Sequence, residues 1–418
     1  MILIYTIFLA FAVYSICNWK KSILAYFPIS LLFTTVPLTK FGSTFIGLNF
    51  AWLIIINALY FIRYKKTIND INPVRMSILV LILGYTLSFI FGSYRSSLYP
   101  FIQMIMNYAY VLIFWNRIEK REDIEYLVER FSRVFFIICI YTIIEFVMGK
   151  NIWMEWLQIQ TNANIYVSHH DDIRFGFARC NSFLDFPIPL GDACAIIFCF
   201  FLFLKKNFVT LNFSHKNNFV LFSLLIIALV LSNSRAPLVA FFIGLMFLDF
   251  FKNIRNISYT VIILLIVWIY AGDYIFNNIK SLTGGYDPDV GGSSMELRQL
   301  QLSYCINEFY NNPIFGAGFN RLAELQDPSN KELAGAESQL FVLLVSQGIC
   351  GIIAYAFACV KMLFSLRPFG KSAFKFSVTF TLMWIAADFI SLTTGLYITF
   401  PIILIMIIFK CYLFSQQK

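Results

Sequence analysis

The chain has 418 residues, 59% of them hydrophobic and only 13% charged, which excludes a water-soluble globule. Apolar runs of about 17–25 residues, the length that crosses a bilayer as a helix, recur from end to end, and they are continuous rather than alternating, which excludes a β-barrel. The net charge of +9 is a matter of membrane topology rather than of nucleic-acid binding.

Helices are expected at residues 2–18, 23–38, 45–62, 76–92, 98–115, 133–149, 188–204, 218–233, 236–251, 257–271, 337–358, 374–390 and 397–413. The fold class is therefore an all-α polytopic membrane protein with about 12–13 transmembrane helices. Residues 1–418 form a single integral membrane domain. Two larger extracytoplasmic loops interrupt it, residues 150–187 and residues 272–336 with short helices. The first apolar run has no basic leader and no small-residue cleavage site, so it reads as a retained helix. With the N-terminus outside, most of the 32 lysines and arginines fall on cytoplasmic loops, the positive-inside bias. Twelve helices with the N-terminus inside is the competing count.

Taken in order, the first five helices carry few polar residues. Arg95 reads as a headgroup anchor. Residues 116–132 alternate acids and bases at helical spacing, a solvated cytoplasmic face. The sixth helix ends outside at Glu145. The loop that follows holds Trp153 and Trp156, then His169-His170-Asp171-Asp172, then Arg174 and Arg179. Adjacent ligands on one turn point apart, so the His-His-Asp-Asp run reads as a loop tip rather than a metal site. Arg179-Cys-Asn-Ser-Phe-Leu-Asp-Phe-Pro-Ile-Pro-Leu-Gly191 sets an arginine just outside the seventh helix.

Helices eight and nine meet at Ser232-Asn-Ser-Arg235-Ala-Pro237. The turn is too short to leave the interface, so Arg235 is held at the bilayer edge, where an ionisable group is costly and points to function. In the long loop, Ser293 and Glu296 have capping-box spacing, and a helix is expected over residues 294–310. It carries Arg298, with Leu297, Leu300, Tyr304 and Phe309 as its packed side. Asn311-Asn312-Pro313 stops it. Gly316 and Gly318 then suit a tight turn near a ligand, and Arg321 follows. Glu337-Ser338-Gln339 opens the next membrane helix, whose Gly348 and Gly351 permit close helix contact. Glu337 is either an N-terminal cap or a base. Most of the nine cysteines lie inside helices. Cys180 and Cys305 are extracytoplasmic, but nothing in their spacing demands a bridge.

Arg298, then Asn312-Pro-Ile-Phe-Gly-Ala-Gly318, then Glu337-Ser-Gln with Gly348 and Gly351, resembles the bacterial O-antigen polymerase (Wzy) and O-antigen ligase superfamily. Ser234-Arg235 resembles that family's Ser-Arg junction, and Arg179 with Asn181, Pro187 and Gly191 resembles its earlier arginine motif. The likeness spans residues 174–357. Ligases typically carry His where this chain has Glu337, which favours a polymerase. The resemblance implies a GT-C-like membrane glycosyltransferase that uses neither metal nor other cofactor. Its substrates would be undecaprenyl-pyrophosphate-linked glycans, donor and acceptor, at the outer face of the bacterial inner membrane. Its product would be O-antigen or capsular polysaccharide, and its partners membrane lipids and a chain-length-regulating co-polymerase.

In the mechanism expected from this, Glu337 takes the acceptor hydroxyl proton. Arg235 and Arg298 neutralise the departing pyrophosphate. Arg174, Arg179 and Arg321, with the Gly316/Gly318 turn, bind the second lipid pyrophosphate or the sugars. A lipid-linked oligosaccharide flippase would instead show internal repeats and midplane charges. Asp192, Asp249 and Asp388 come nearest, and no repeat is visible. A non-catalytic assembly protein does not explain arginines gathered on one face.

Overall fold

The computed structural model describes residues 1–41, 44–63, 72–95, 98–162, 173–174, 177–208, 215–248, 295–326, 333, 336, 338–390 and 396–416. The expected helix 257–271, the His169–Asp172 run, Asp249 and Glu337 lie outside them.

The chain starts with α1 (Ile2–Cys17) and α2 (Trp19–Ser30), then an antiparallel hairpin of β1 (Pro37–Phe41) and β2 (Thr44–Gly47). α3 (Leu48–Arg63), α4 (Arg75–Phe91), α5 (Leu98–Arg117) and α6 (Arg121–Met148) follow. The short α7 (Ile152–Thr161) and the two-residue strands β3 (Ile173–Arg174) and β4 (Phe177–Ala178) occupy the first large loop. Next come α8 (Pro187–Asn207), α9 (His215–Leu231), α10 (Arg235–Phe247), α11 (Met295–Asn311) and α12 (Arg321–Leu325). α13 (Gln339–Val342) runs through a π turn, Leu343–Gln347, into α14 (Gly348–Phe364). α15 (Lys371–Ile390) and α16 (Leu396–Gln416) end the chain. Five of these stretches are long and apolar enough to span a membrane, and several others are shorter apolar helices. The protein is an all-α polytopic membrane protein.

The helices differ from expectation at three places. α2 is 12 residues long, not a span, because Pro28 denies the ladder a donor near its end and the chain turns into the hairpin. α6 runs for 28 residues, taking in the charged stretch after residue 120. There Arg121 pairs with Glu125 and Arg133 with Glu129, both four residues apart, which sustains a helix in water. On α11, Leu300 is 58% exposed, while Gln301 and Cys305 are buried. The packed side therefore runs through Gln301, Tyr304 and Cys305, with Tyr304 as expected, facing Leu322, Phe341 and Val345.

α8 is the central helix, with nearly every side chain from Pro187 to Leu204 buried. α4 packs on α14, where Gly84 lies against Ala354 and Gly351 so closely that an added Cβ would stand 2.9 Å from the Ala354 methyl. Small residues thus bring these helices together, as the sequence led one to expect. At one end of the bundle Arg117 donates to the Lys20 carbonyl and pairs with Asp123, and Lys410 lies over the Trp115 ring. The loops at the opposite end carry the candidate site.

Candidate active site

The segment after Ala178 is held by hydrogen bonds to the end of α6 and the start of α7. Glu145, 3% exposed at the end of α6, accepts from the Asn181 amide at 3.2 Å and the Ser182 amide at 2.7 Å. Asn151 caps α7 through its Oδ1 and donates from Nδ2 to Asn181 Oδ1 and the Ser182 carbonyl. Ser182 has φ +54°, a left-handed conformation that these bonds hold in place. This turn aims Arg179 one way and Asp185 the other.

Arg179 is buried and donates from Nη2 to Ser234 Oγ at 2.8 Å. Ser234 donates onward to the Ser232 carbonyl, and the Cys180 amide donates to the Leu231 carbonyl. The two arginine motifs, 55 residues apart, therefore form one junction at which α10 begins with Arg235, itself partly buried. Gly191 matters here, because a Cβ would meet Pro237 and Ser232 at 2.6–2.7 Å.

A second structure is built from the turn at residues 313–320. The Ala317 amide donates to the Val345 carbonyl, and the amides of Ile349 and Cys350 donate to the carbonyls of Pro313 and Ile314. The Tyr94 amide, just past α4, donates to the Ala317 carbonyl. Gly316 (φ +72°) and Gly318 (φ +137°) are needed because their missing side chains face the backbone of Ser346 and Gln347 and of Tyr94. Their close approach is to the chain's own backbone. The turn thereby docks on the π turn, a distortion that recurs at functional sites. Ser346 Oγ accepts from the Leu322 amide, and its carbonyl accepts from Ser88 Oγ. Arg321 stacks on the Tyr94 ring at 4.3 Å. Glu324, beside the Tyr94 hydroxyl, raises that phenol above its ordinary range.

Between these structures lies a cavity of about 330 Å³. Tyr26, Tyr85 and Tyr108 line it, with the amides of Asn49, Gln103, Asn107, Asn320, Gln339 and Gln347 and one carboxylate, Asp185. Among the described residues no lysine or arginine lines it. Burial pushes the Asp185 carboxyl up to about 6, with Thr34 acting in the opposite sense. Thr34 also donates to the Phe183 carbonyl, tying the end of α2 to this loop.

The other expected residues are placed as follows. Arg298 is on the exposed side of α11, and Arg174 is on β3. The cap of α13 is Ser338, whose Oγ accepts from the Leu340 amide and donates to the Phe389 carbonyl. Capping is thus performed by the residue after Glu337. Cys180 and Cys305 are free and buried in separate clusters. Burial and the nearby Glu145 push the Cys180 thiol up, which suits an inert side chain. Asp388 accepts from the Tyr355 hydroxyl at 3.1 Å, a satisfied buried carboxylate rather than an open coupling site. Trp153 and Trp156 stack on each other, with Trp153 also against Phe183.

Asp185, Glu145 and Tyr94 were not singled out in the sequence as site residues. Asp185 stands within the Arg179–Gly191 run, but there Arg179, Asn181, Pro187 and Gly191 carried the recognisable signal.

These features define a multi-pass membrane protein with a basic junction and, at one end of its bundle, a polar cavity whose charged lining residue, among the described residues, is Asp185. Residues 220–356 match the family model described as O-antigen ligase. That match bears out the resemblance to the O-antigen polymerase/ligase superfamily, and it covers Arg235, Arg298, Gly316, Gly318, Arg321 and Glu337. Arg174, Arg179 and Asp185 precede it. No curated protein and no solved structure matches the chain.

Proposed function

We propose that the protein polymerises undecaprenyl-pyrophosphate-linked oligosaccharide repeat units into O-antigen or capsular polysaccharide, by glycosyl transfer at the outer face of the inner membrane. The observation that carries this reading is the Arg179–Ser234 bond, which joins two arginine motifs 55 residues apart in sequence. The acceptor oxygen attacks the donor's anomeric carbon, its proton passes to Glu337, and the bond from that carbon to the pyrophosphate oxygen breaks. Direct attack inverts the anomeric centre. Arg235 and Arg298 meet the charge that grows on the leaving pyrophosphate, because guanidinium binds phosphate bidentately. Arg174, Arg179 and Arg321 orient the second lipid pyrophosphate or the sugars, and Gly316 and Gly318 shape the turn between them. A co-polymerase that sets chain length completes the expected assembly.

Ligation is the second reading, favoured by the description of the matching family model. Lipid-linked glycans from a deletion strain separate the cases. Accumulated single repeats mean a polymerase. Unligated polymer means a ligase, and repeats trapped in the cytoplasm mean a flippase.

A further inference from the structure

The cavity, with Asp185 in its wall and no lysine or arginine among the described lining residues, has a chemistry distinct from that of the arginine junction. Its volume, about 330 Å³, is at the lower end of the range for small-molecule sites, roughly 300–1,000 Å³. Several buried polar atoms in its wall are left without hydrogen bonds among the described residues. Asn49 donates from Nδ2 to the Ser30 carbonyl, but its Oδ1 has no donor. Tyr108 Oη and Gln347 Nε2 face the Tyr85 hydroxyl without completing a hydrogen bond of good geometry. All three side chains are at least nine-tenths buried. Unmet donors and acceptors in a dry wall are costly unless a ligand or water meets them. The wall therefore asks for a partner with several hydroxyls, and the tyrosine rings offer it apolar faces.

Charge narrows the partner further. Asp185 is the carboxylic acid among the described lining residues, and no lysine or arginine among them accompanies it. A phosphate or a sugar carboxylate would meet repulsion with no lysine or arginine among the described lining residues to offset it. A neutral sugar hydroxyl would instead donate to the carboxylate, a charge-assisted bond.

We infer that this cavity is the pocket for one neutral sugar ring lying away from the pyrophosphate end of the glycan, with Asp185 accepting from its hydroxyls and excluding anionic sugars. This rests on the proposed lipid-linked glycosyl transfer for the source of the sugar, but the binding itself does not require turnover. The sugar attached directly to pyrophosphate belongs beside Arg179 and Arg235. A ring in a cavity lined, among the described residues, by no lysine or arginine is one further along the chain, as at the attacking end of an acceptor.

The test uses the full-length protein in lipid nanodiscs and saturation-transfer NMR, with empty nanodiscs as the blank. The probes are methyl glycosides of glucose, galactose, mannose and N-acetylglucosamine, the methyl glycoside of glucuronic acid, and glucose 1-phosphate. At least one neutral glycoside should receive saturation from the wild type, and the glucuronide should not. Asp185→Asn should weaken the neutral probe roughly tenfold, the loss of one hydrogen bond to a charged group, and should admit the glucuronide. Asn107→Leu, which leaves the Asp185 loop untouched, should also abolish the neutral signal. Melting curves establish that both variants are folded. The inference is overturned if no neutral glycoside binds, if the glucuronide binds the wild type equally well, or if neither variant changes binding. Tighter binding of glucose 1-phosphate, lost in Arg235→Lys, would overturn the distal placement. A protein that binds neutral glycosides here yet makes no polymer would refute the polymerase reading alone.

Discussion

Replacing Glu145 tests whether the arginine junction is held in place from a distance. Its two oxygens accept from the amides of Asn181 and Ser182, at 3.2 and 2.7 Å, in a site where the side chain is almost wholly buried. Hydrogen bonds to a charged acceptor contribute about 1.5–3 kcal/mol each, and a buried amide left without an acceptor costs about as much. Glu145→Ala removes both at once and releases the left-handed Ser182, so a loss of about 3–5 kcal/mol is expected. Glu145→Gln keeps one carbonyl oxygen but turns an amide N–H toward another donor, and about half that loss is expected. The assay is thermal melting of the purified protein in one detergent, where the Ala variant should melt roughly 3–6 °C lower. Polymer formation from purified lipid-linked repeats, at matched folded protein, should fall with the shift of Arg179, although Glu145 touches no substrate. An Ala variant that melts within about 1 °C of the wild type would show that the turn at residues 181–182 stands without its carboxylate, and the positioning argument would fail.

Arg235→Lys should lose most polymer formation although the charge is kept, since an ammonium lacks the planar fork; a wild-type rate would make Arg235 a headgroup anchor. Glu337→Gln should lower the rate by about 10²–10⁴-fold in inserted, folded protein, with Glu337→Asp retaining part of it. A Gln variant within a few-fold of wild type would send the search for a base elsewhere. Gly316→Ala should lower the melting temperature measurably, because its Cβ would run into the backbone of Ser346 and Gln347 at a positive φ; an unchanged melting curve would mean the turn is not docked as described. For Asp185, the folded protein holds its proton up to about pH 6 against an ordinary value of 3.8, so the folded state binds more protons than the unfolded state in that interval. Stability from this group is present at low pH and is lost as pH rises from about 4 to 6. The other titratable residues lining the cavity, Tyr26, Tyr85 and Tyr108, stay neutral there. Asp185→Asn should therefore melt higher than the wild type at pH 7.5 but not at pH 4, and equal differences at both would refute the assignment.

The helices were legible because bilayer thickness writes itself into apolar run length, and α4, α8 and α10 begin within a residue of expectation. The extension of α6 was not, because residues 121–132 have the pattern of a solvated face, and the pattern alone does not say that the same helix continues into the membrane. The hairpin at residues 37–47 was hidden inside apolar sequence that reads equally well as helix. Leu300 misled because hydrophobicity on a short amphipathic helix does not identify which side its neighbours cover. The arginines stood out by cost, since a guanidinium at bilayer depth is rare. Asp185 carried no such signal, because its cavity is assembled from Thr34, Asn107 and Gln347, which meet only in the folded chain.

The π turn at Leu343–Gln347 has a consequence for how this site can vary. A π turn adds one residue to an α-helix, and each residue turns the helix by about 100°. The added residue therefore sets the heading of Ser338 and Gln339 independently of Gly351 and Ala354, which are fixed by their fit against α4. Deleting one residue from this turn would leave the membrane-packed half of the helix undisturbed. It would swing Gln339 out of the cavity wall. The helix thus works as two parts on one axis, one bound to the membrane core and one free to be re-aimed at the substrate by a single-residue change in length.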